Sequence, residues 1–349
     1  MLIAALLRRM LSTHVRRRQF HRAMYDIRPA YNAKSVKNYL GHDEPNMDVA
    51  FGGDGFVHLG IDPARMDRLT FNKLIDGVNP TTGESLTPRM KADRICGWYI
   101  TLSPPKDVTL LAEFHPEAEK VREALREAGD YVMKNFIEPT ATVRERKGVH
   151  GDRETGNLMW IRLHHVLDRP VDGKIMPQHH LHYFAVNATH DPERRRFFST
   201  KLRSAWWDSA KVKRQFHKRL RDNLEHDIGI KTKGWGMNWR VEGISRETVD
   251  RFSLRGKEAK AHLEAGVSRA YASLKGREDK VKLSEIDVRE LRAEWFAMLT
   301  DRDKQALLPA RPKYGRYAYP EKRRFEWARN LKPRVPDPRK EADYEIARR

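Results

Sequence analysis

Two runs rich in β-branched and aromatic side chains, Asn157–His165 and Gln178–Asn187, sit close together in the sequence. Both read as strands. The loop between them carries Pro170 and Gly173 and no helical pattern, so nothing supplies the crossover that a parallel pair needs. The two strands are therefore expected to lie antiparallel. A third strand, Arg195–Ser199, follows a turn at His190–Glu193, and the three read as an antiparallel meander.

The rest of the chain is read around this core. Tyr25–Ala30 is a short strand, and Asn32 caps a helix over Ala33–Leu40. Gly41–Gly55, rich in Gly, Asp and Pro, reads as a mobile loop. Asp67–Gly77 is helical, and Asn79–Gly83 is a turn. Trp98–Leu102 is a strand, with Ser103 as the cap of a helix from Lys106 to Phe114 that opens on Pro104 and Pro105. Glu117–Phe136 is a long amphipathic helix with Val121, Leu125 and Val132 near one face. Later helices are expected over Asp208–His226, Glu247–Phe252 and Leu283–Leu299, with a β-like segment at Gly234–Val241. No repeat is visible. Strands and helices mixed in this order indicate an α+β fold with an antiparallel sheet.

Composition narrows the partner. Among 349 residues, 68 Lys and Arg face 48 Asp and Glu, a net charge of +20. Such an excess suits a polyanion, nucleic acid first. A single cysteine, Cys96, excludes a disulfide framework and a cysteine-based zinc site. No apolar run is long enough for a membrane span, so no membrane insertion is expected. Residues 1–23 hold six arginines and no acid and read as a basic extension. Residues 24–303 read as one domain, and 304–349 as a basic, proline-rich tail.

The 15 histidines carry the chemistry. In a strand, residues two apart share a face, so His180 and His182 point the same way. His165, on the neighbouring strand, can reach that face. Three imidazoles on a rigid sheet form a facial metal site with open positions, able to grip a phosphate oxygen. His164 and His179 point to the opposite face, and alternation excludes them from that triad.

Several segments then match a known family. Met24–Leu40, ending in Tyr39-Leu40, resembles its opening strand and helix. Phe71–Gly77 followed by Asn79-Pro80-Thr81-Thr82-Gly83 resembles the next helix and turn. Gly97-Trp98-Tyr99-Ile100-Thr101-Leu102-Ser103-Pro104-Pro105-Lys106 is similar to "G-x-D-L-T-F-S-A-P-K". Thr155–His165 and Pro177-Gln178-His179-His180-Leu181-His182, with Asn187 beyond, resemble the two histidine strands; Phe252-Ser253 and Leu291–Trp295 match late landmarks. Together, over about residues 24–300, these resemble the MobF-type conjugative relaxase domain, the TraI/TrwC family of HUH endonucleases.

The resemblance implies a palm-like antiparallel sheet of about five strands flanked by helices. It implies that Tyr39 is the nucleophile and that His165, His180 and His182 hold a divalent metal, Mg2+ or Mn2+ before Zn2+ or Ni2+. The reaction would be site- and strand-specific nicking at an origin of transfer through a 5′-phosphotyrosine. The partners would be single-stranded or hairpin DNA, with accessory relaxosome proteins and a coupling protein, in the bacterial cytoplasm. Tyr31 is the reserve nucleophile, and Tyr25 is read as packing. The chain departs from the family in lacking a second tyrosine beside Tyr39 and in carrying Tyr99 where the motif has aspartate. Asp107, Asp168 or Tyr99 is expected to compensate.

Lys106, Arg195, Lys201 and Arg203 are the expected DNA contacts. Further along, Lys211 to Arg221 read either as phosphate contacts or as a solvated helix face balanced by Asp208, Asp222 and Glu225. Trp206-Trp207 could stack on bases. The competing functions are a rolling-circle replication initiator, which usually places its tyrosine after the histidines, and a DNA-binding remnant without nicking activity.

Overall fold

The computed structural model describes residues 25–41, 47–91, 93–145, 151–202, 208–258 and 287–308. By contacts the chain divides into Met1–Pro309 and Ala310–Arg349, and every described residue lies in the first unit. In chain order the strands are β1 (Tyr25–Ala30), β2 (Asp48–Gly52), β3 (Gly97–Leu102), β4 (Thr142–Arg144), β5 (Asp152–Glu154), β6 (Trp160–Leu167), β7 (Pro177–Val186), β8 (Thr189–Asp191), β9 (Arg196–Phe198), β10 (Thr232–Lys233) and β11 (Arg240–Val241). The helices are α1 (Ala33–Leu40), α2 (Arg68–Asp76), α3 (Lys106–Phe114), α4 (Ala118–Val132), α5 (Ser209–Asn223), α6 (Arg246–Arg251), α7 (Val288–Ala297) and α8 (Asp301–Leu307). Five strands pair antiparallel in the order β1-β3-β7-β6-β2.

Alternation along the strands divides the core in two. Leu181, Tyr183 and Ala185 of β7, with Ile100 and Leu102 of β3, face the helices α3, α4 and α5. Phe184 and Val186, with Ile161 and Leu163 of β6, face α1 and α2 through Val36, Leu40, Phe71, Leu74 and Ile75. Burying an apolar side chain of this size stabilises by about 1.5–3 kcal/mol. Both faces are thus sealed, and the sheet is a stiff platform. α4 comes very close to it at Gly129, where a Cβ would lie 2.3 Å from Leu181 Cδ1 and 2.4 Å from the Tyr183 hydroxyl.

Several expectations need correction. Gly41–Gly55 is not a loop throughout: Asp48–Gly52 is the edge strand β2, paired to β6, and Asp54–Leu59 is a 3-10 helix. The three central strands do not form a meander. β6 and β7 pair, but β9 pairs with β8 in a separate ribbon. Pro105, not Ser103, occupies the cap of α3. The long helix leaves regular geometry after Val132, in a π-turn over Met133–Ile137 ahead of Pro139, which has no N–H to continue the ladder. α8 crosses the boundary drawn between residues 303 and 304. No helix of the described residues is long and apolar enough to cross a membrane.

Candidate active site

The register brings the three histidines together. His165 and His180 are direct cross-strand partners, and His182 lies one pleat further along β7 on the same face. Their ring centroids stand 5.3 Å (His165–His180), 5.0 Å (His165–His182) and 4.7 Å (His180–His182) apart. A shared metal about 2.1 Å from each nitrogen would separate three rings by roughly 4.5–5 Å, so the spacing suits one cation. Among the described residues no three His, Cys, Asp or Glu side chains converge as a finished metal site.

Two of the rings are held from behind. His180 Nδ1 lies 2.7 Å from the Gln178 carbonyl oxygen, an acceptor, so this nitrogen carries the proton and donates. His182 Nδ1 lies 3.1 Å from Thr101 Oγ1. The Nδ1–H of His180 leaves its Nε2 as the coordinating atom, the usual arrangement of a metal-bound imidazole. Burial, followed by the neighbouring His180, His165, Arg169 and Arg28, holds the His182 pKa well below the ordinary histidine value. A neutral imidazole is the form that binds a cation. Three imidazoles are the donor type that a divalent metal takes. A bulge follows His165, where the pairing slips to Leu167–Pro177. It ends the regular ladder beside the cluster.

Tyr39 comes to this face on α1. Asn32 accepts the Ser35 N–H and starts the helix. Val36 and Leu40, four apart, bury against the sheet. Lys37 Nζ pairs with Asp76 at 2.7 Å and ties α1 to the end of α2. Tyr39 is then set over the histidines, its ring 6.2 Å from His165 and 5.7 Å from His182. Tyr99 closes the other side, edge-on at 5.6 Å. Burial pushes the Tyr99 phenol up to about 12, so it stays neutral near pH 7. Tyr31 is exposed and makes no ring contact with the cluster.

Neither acid expected to compensate for Tyr99 is at the cluster. Asp107 accepts the Val108 and Val241 N–H groups, and Asp168 pairs with Arg255 at 3.3 Å. Sequence reading missed three residues that are nearer. Thr101 is the cross-strand partner of His182, while Asp26 and Arg28 of β1 stand opposite Thr101 and Tyr99. Asp26 pairs with Arg28 at 2.7 Å. Strand registers could have found them, but only with the order β1-β3-β7 already known.

The expected DNA contacts do not gather at the histidines. Lys106 donates to the Pro177 carbonyl at 2.7 Å, and burial lowers its pKa to about 8; it pins the start of β7. Arg195 is exposed at the β8–β9 turn, with φ 51°. Lys201 pairs with Asp152 at 2.5 Å. Both follow the end of β7 remote from His180 and His182. Arg203 and Trp206-Trp207 lie outside the described residues. On α5, Arg219, Lys218 and Arg221 pair with Glu127, Asp222 and Glu225, which favours the solvated-face reading for that stretch.

The other two strand histidines occupy the opposite face. His164 Nε2 lies 2.9 Å from His179 Nδ1, and His179 Nε2 lies 2.7 Å from Glu113. Arg292 of α7 completes the chain at 2.9 Å from the same carboxylate.

Comparisons with known proteins bear on the family and the fold. The family model described as TrwC relaxase matches residues 17–301. No curated protein matches the chain. Among solved structures, the conjugative relaxase TrwC in complex with oriT DNA, in metal-free form, is 22% identical with a TM-score of 0.66, covering 78% of this chain and 97% of that one. Its metal-bound counterpart is 20% identical, with a TM-score of 0.67, over 78% and 96%. TrwC complexed with a 27-mer DNA comprising the recognition hairpin and the cleavage site is 20% identical, with a TM-score of 0.66, over 81% and 98%. A match across the greater part of the sequence and the same fold lead to one conclusion: the chain belongs to the TrwC relaxase family.

Proposed function

We propose that this relaxase nicks one strand of DNA at an origin of transfer, with Tyr39 as the nucleophile. The observation that carries the reading is the contact of the Tyr39 ring with His165 and His182, two of three clustered imidazoles. The Tyr39 oxygen attacks the scissile phosphorus in line. A new P–O bond to tyrosine forms as the bond to the 3′ oxygen breaks. The 3′ oxygen leaves with the electron pair and takes up a proton, and the phenol loses its own. The 5′-phosphotyrosine conserves the phosphodiester, so the strand can be rejoined. His165, His180 and His182 would hold a divalent cation, whose chemistry when bound is to draw charge from the non-bridging phosphate oxygens.

The protein side of the task is positional. A tyrosine ordinarily ionises near pH 10, so attack near neutrality requires that the phenol meet the phosphate at the moment its proton is released. Tyr39 lies between Tyr99 and the histidines, and α1 is locked by Lys37–Asp76. Arg28 adds a positive charge on the same face of the sheet. The substrate would be single-stranded or hairpin DNA, as in the TrwC complexes. Accessory relaxosome proteins and a coupling protein would be further partners, in the bacterial cytoplasm. Arg195 and, outside the described residues, Arg203 remain the expected contacts with DNA away from the nick.

Labelled single-stranded oligonucleotides tiling the element's origin, incubated with Mn2+ or Mg2+, test this. A covalent protein–DNA adduct is expected, and Tyr39→Phe abolishes it. An adduct that survives Tyr39→Phe assigns the nucleophile elsewhere, and absence of any adduct at every sequence and metal favours a binding remnant.

A further inference from the structure

We propose that Thr101 is a positioning residue that fixes the orientation and tautomer of His182. The inference rests on the reading of His182 as a ligand, and deepens it. Thr101 and His182 are direct cross-strand partners, and Oγ1 lies 3.1 Å from Nδ1. The hydroxyl can accept from Nδ1–H or donate to a bare Nδ1, and the two choices set opposite tautomers. Only the first leaves Nε2 with its lone pair free for a cation.

The surroundings favour that choice. The His180 and His165 rings stand 4.7 and 5.0 Å from that of His182. Positive charge from Arg169 and Arg28 also bears on it. With the Nδ1 proton given to Thr101, His182 matches His180, whose Nδ1–H is given to the Gln178 carbonyl, and both leave Nε2 as the acceptor. Among the described residues no carboxylate is bonded to Nδ1. Asp26, the next residue across the sheet from Thr101, is paired with Arg28 at 2.7 Å. Asp107 and Asp168 are engaged elsewhere. Thr101 is therefore the side chain that reaches the ring from behind. Its position also explains how β3 can carry Tyr99 in place of an acid. Tyr99 and Thr101 are two apart on one face, so the phenol ring packs against Tyr39 while the hydroxyl holds His182.

The test has one arm without metal and one with it. Long-range 1H–15N spectra of the full chain labelled at histidine, with no metal added, report the His182 tautomer. The expectation is Nδ1–H in the unsubstituted protein and in Thr101→Ser, and a shift toward Nε2–H in Thr101→Val. Calorimetric titration with Mn2+ follows. Thr101→Val is expected to bind Mn2+ about 10–100-fold more weakly, and Thr101→Ser within about threefold of the original, the usual scale for a group behind a ligand. An unchanged tautomer in Thr101→Val overturns the proposal, as does a changed tautomer with unchanged Mn2+ affinity. If the unsubstituted chain binds no Mn2+ yet the tautomer follows Thr101, the positioning role stands and the metal reading of the site fails. Should Thr101→Val not fold, Thr101→Ala and Thr101→Asn provide the same contrast, a lost acceptor against a retained one.

Discussion

The two faces of the β6–β7 pair use the same residue type for opposite ends. On one face, His165, His180 and His182 are gathered under Tyr39. On the other, His164 and His179 are buried in a closed chain that ends on Glu113 and Arg292. The residues involved are immediate neighbours in sequence. The pleat alone separates them. Histidine content therefore says little about chemistry, and the parity of a histidine in its strand says a great deal. The back ties the sheet to α3 and α7.

The sharpest way to break this contrast is to remove one group from each face. Tyr39→Phe deletes a single hydroxyl from the front. Adduct formation should vanish, while the thermal midpoint stays within about 2 °C, because no buried packing is lost. His182→Ala should lower the nicking rate at least about a hundredfold, the scale of removing one charge-stabilising group. A rate within threefold of the original would place the reaction away from this face.

The back face should give the reverse result. His179→Ala leaves Glu113 buried without one of its two partners and His164 without its acceptor or donor. Truncating one member of a buried charged network costs about 3 kcal/mol. Urea unfolding should show a lower midpoint at unchanged slope. The nicking rate per folded molecule should fall far less than in His182→Ala. Equal losses of rate from both substitutions would show that the faces are not independent.

A smaller effect is expected at Tyr99. Its ring is what touches Tyr39, edge-on at 5.6 Å, and its phenol does not ionise near neutral pH. Tyr99→Phe should keep the rate within about threefold. Tyr99→Ala loses an aromatic pair of about 0.5–1.5 kcal/mol, which converts to a rate loss of up to about tenfold. If Tyr99→Phe loses as much as Tyr99→Ala, the hydroxyl has a role beyond packing.

How far the sequence discloses all this follows the range of the interactions. The facing of His180 and His182 is visible because alternation is local. So is Asn32 as a cap, since it depends on a residue three apart. β2 is hidden because Asp48–Gly52 is short and hemmed by glycines, and only its partner β6 makes it a strand. Thr101 is hidden for a different reason. A threonine in a strand is unremarked until the register sets it against His182, 81 residues away. Glu113 and Arg292 are hidden likewise, since their contact spans 179 residues. The resemblance to a family carried Tyr39, a residue that composition and pattern do not single out.

The smallest expected effect is on acid stability, and it draws on both faces. Burial first, and then His179, hold His164 well below the ordinary histidine pKa of 6.5; His182 is held low on the front. Their unfolded forms take up protons that the folded forms refuse. Below about pH 6.5 the unfolded state therefore binds more protons, and stability falls as pH falls. Glu113 acts in the same direction at lower pH. Burial alone would raise its pKa, but the hydrogen bond and charge of His179, with Arg292, outweigh that and lower it from 4.5. Its contribution is present above that value and is lost on further acidification. Urea midpoints between pH 7.5 and 4 should thus decline in two stages. Glu113→Gln should flatten the second stage and leave the first. Added Mn2+ should raise the midpoint by a nearly constant amount across the first stage, because folded His182 is already neutral there and the cation cannot reach His164. If saturating Mn2+ abolished the decline, the back face would not be its source.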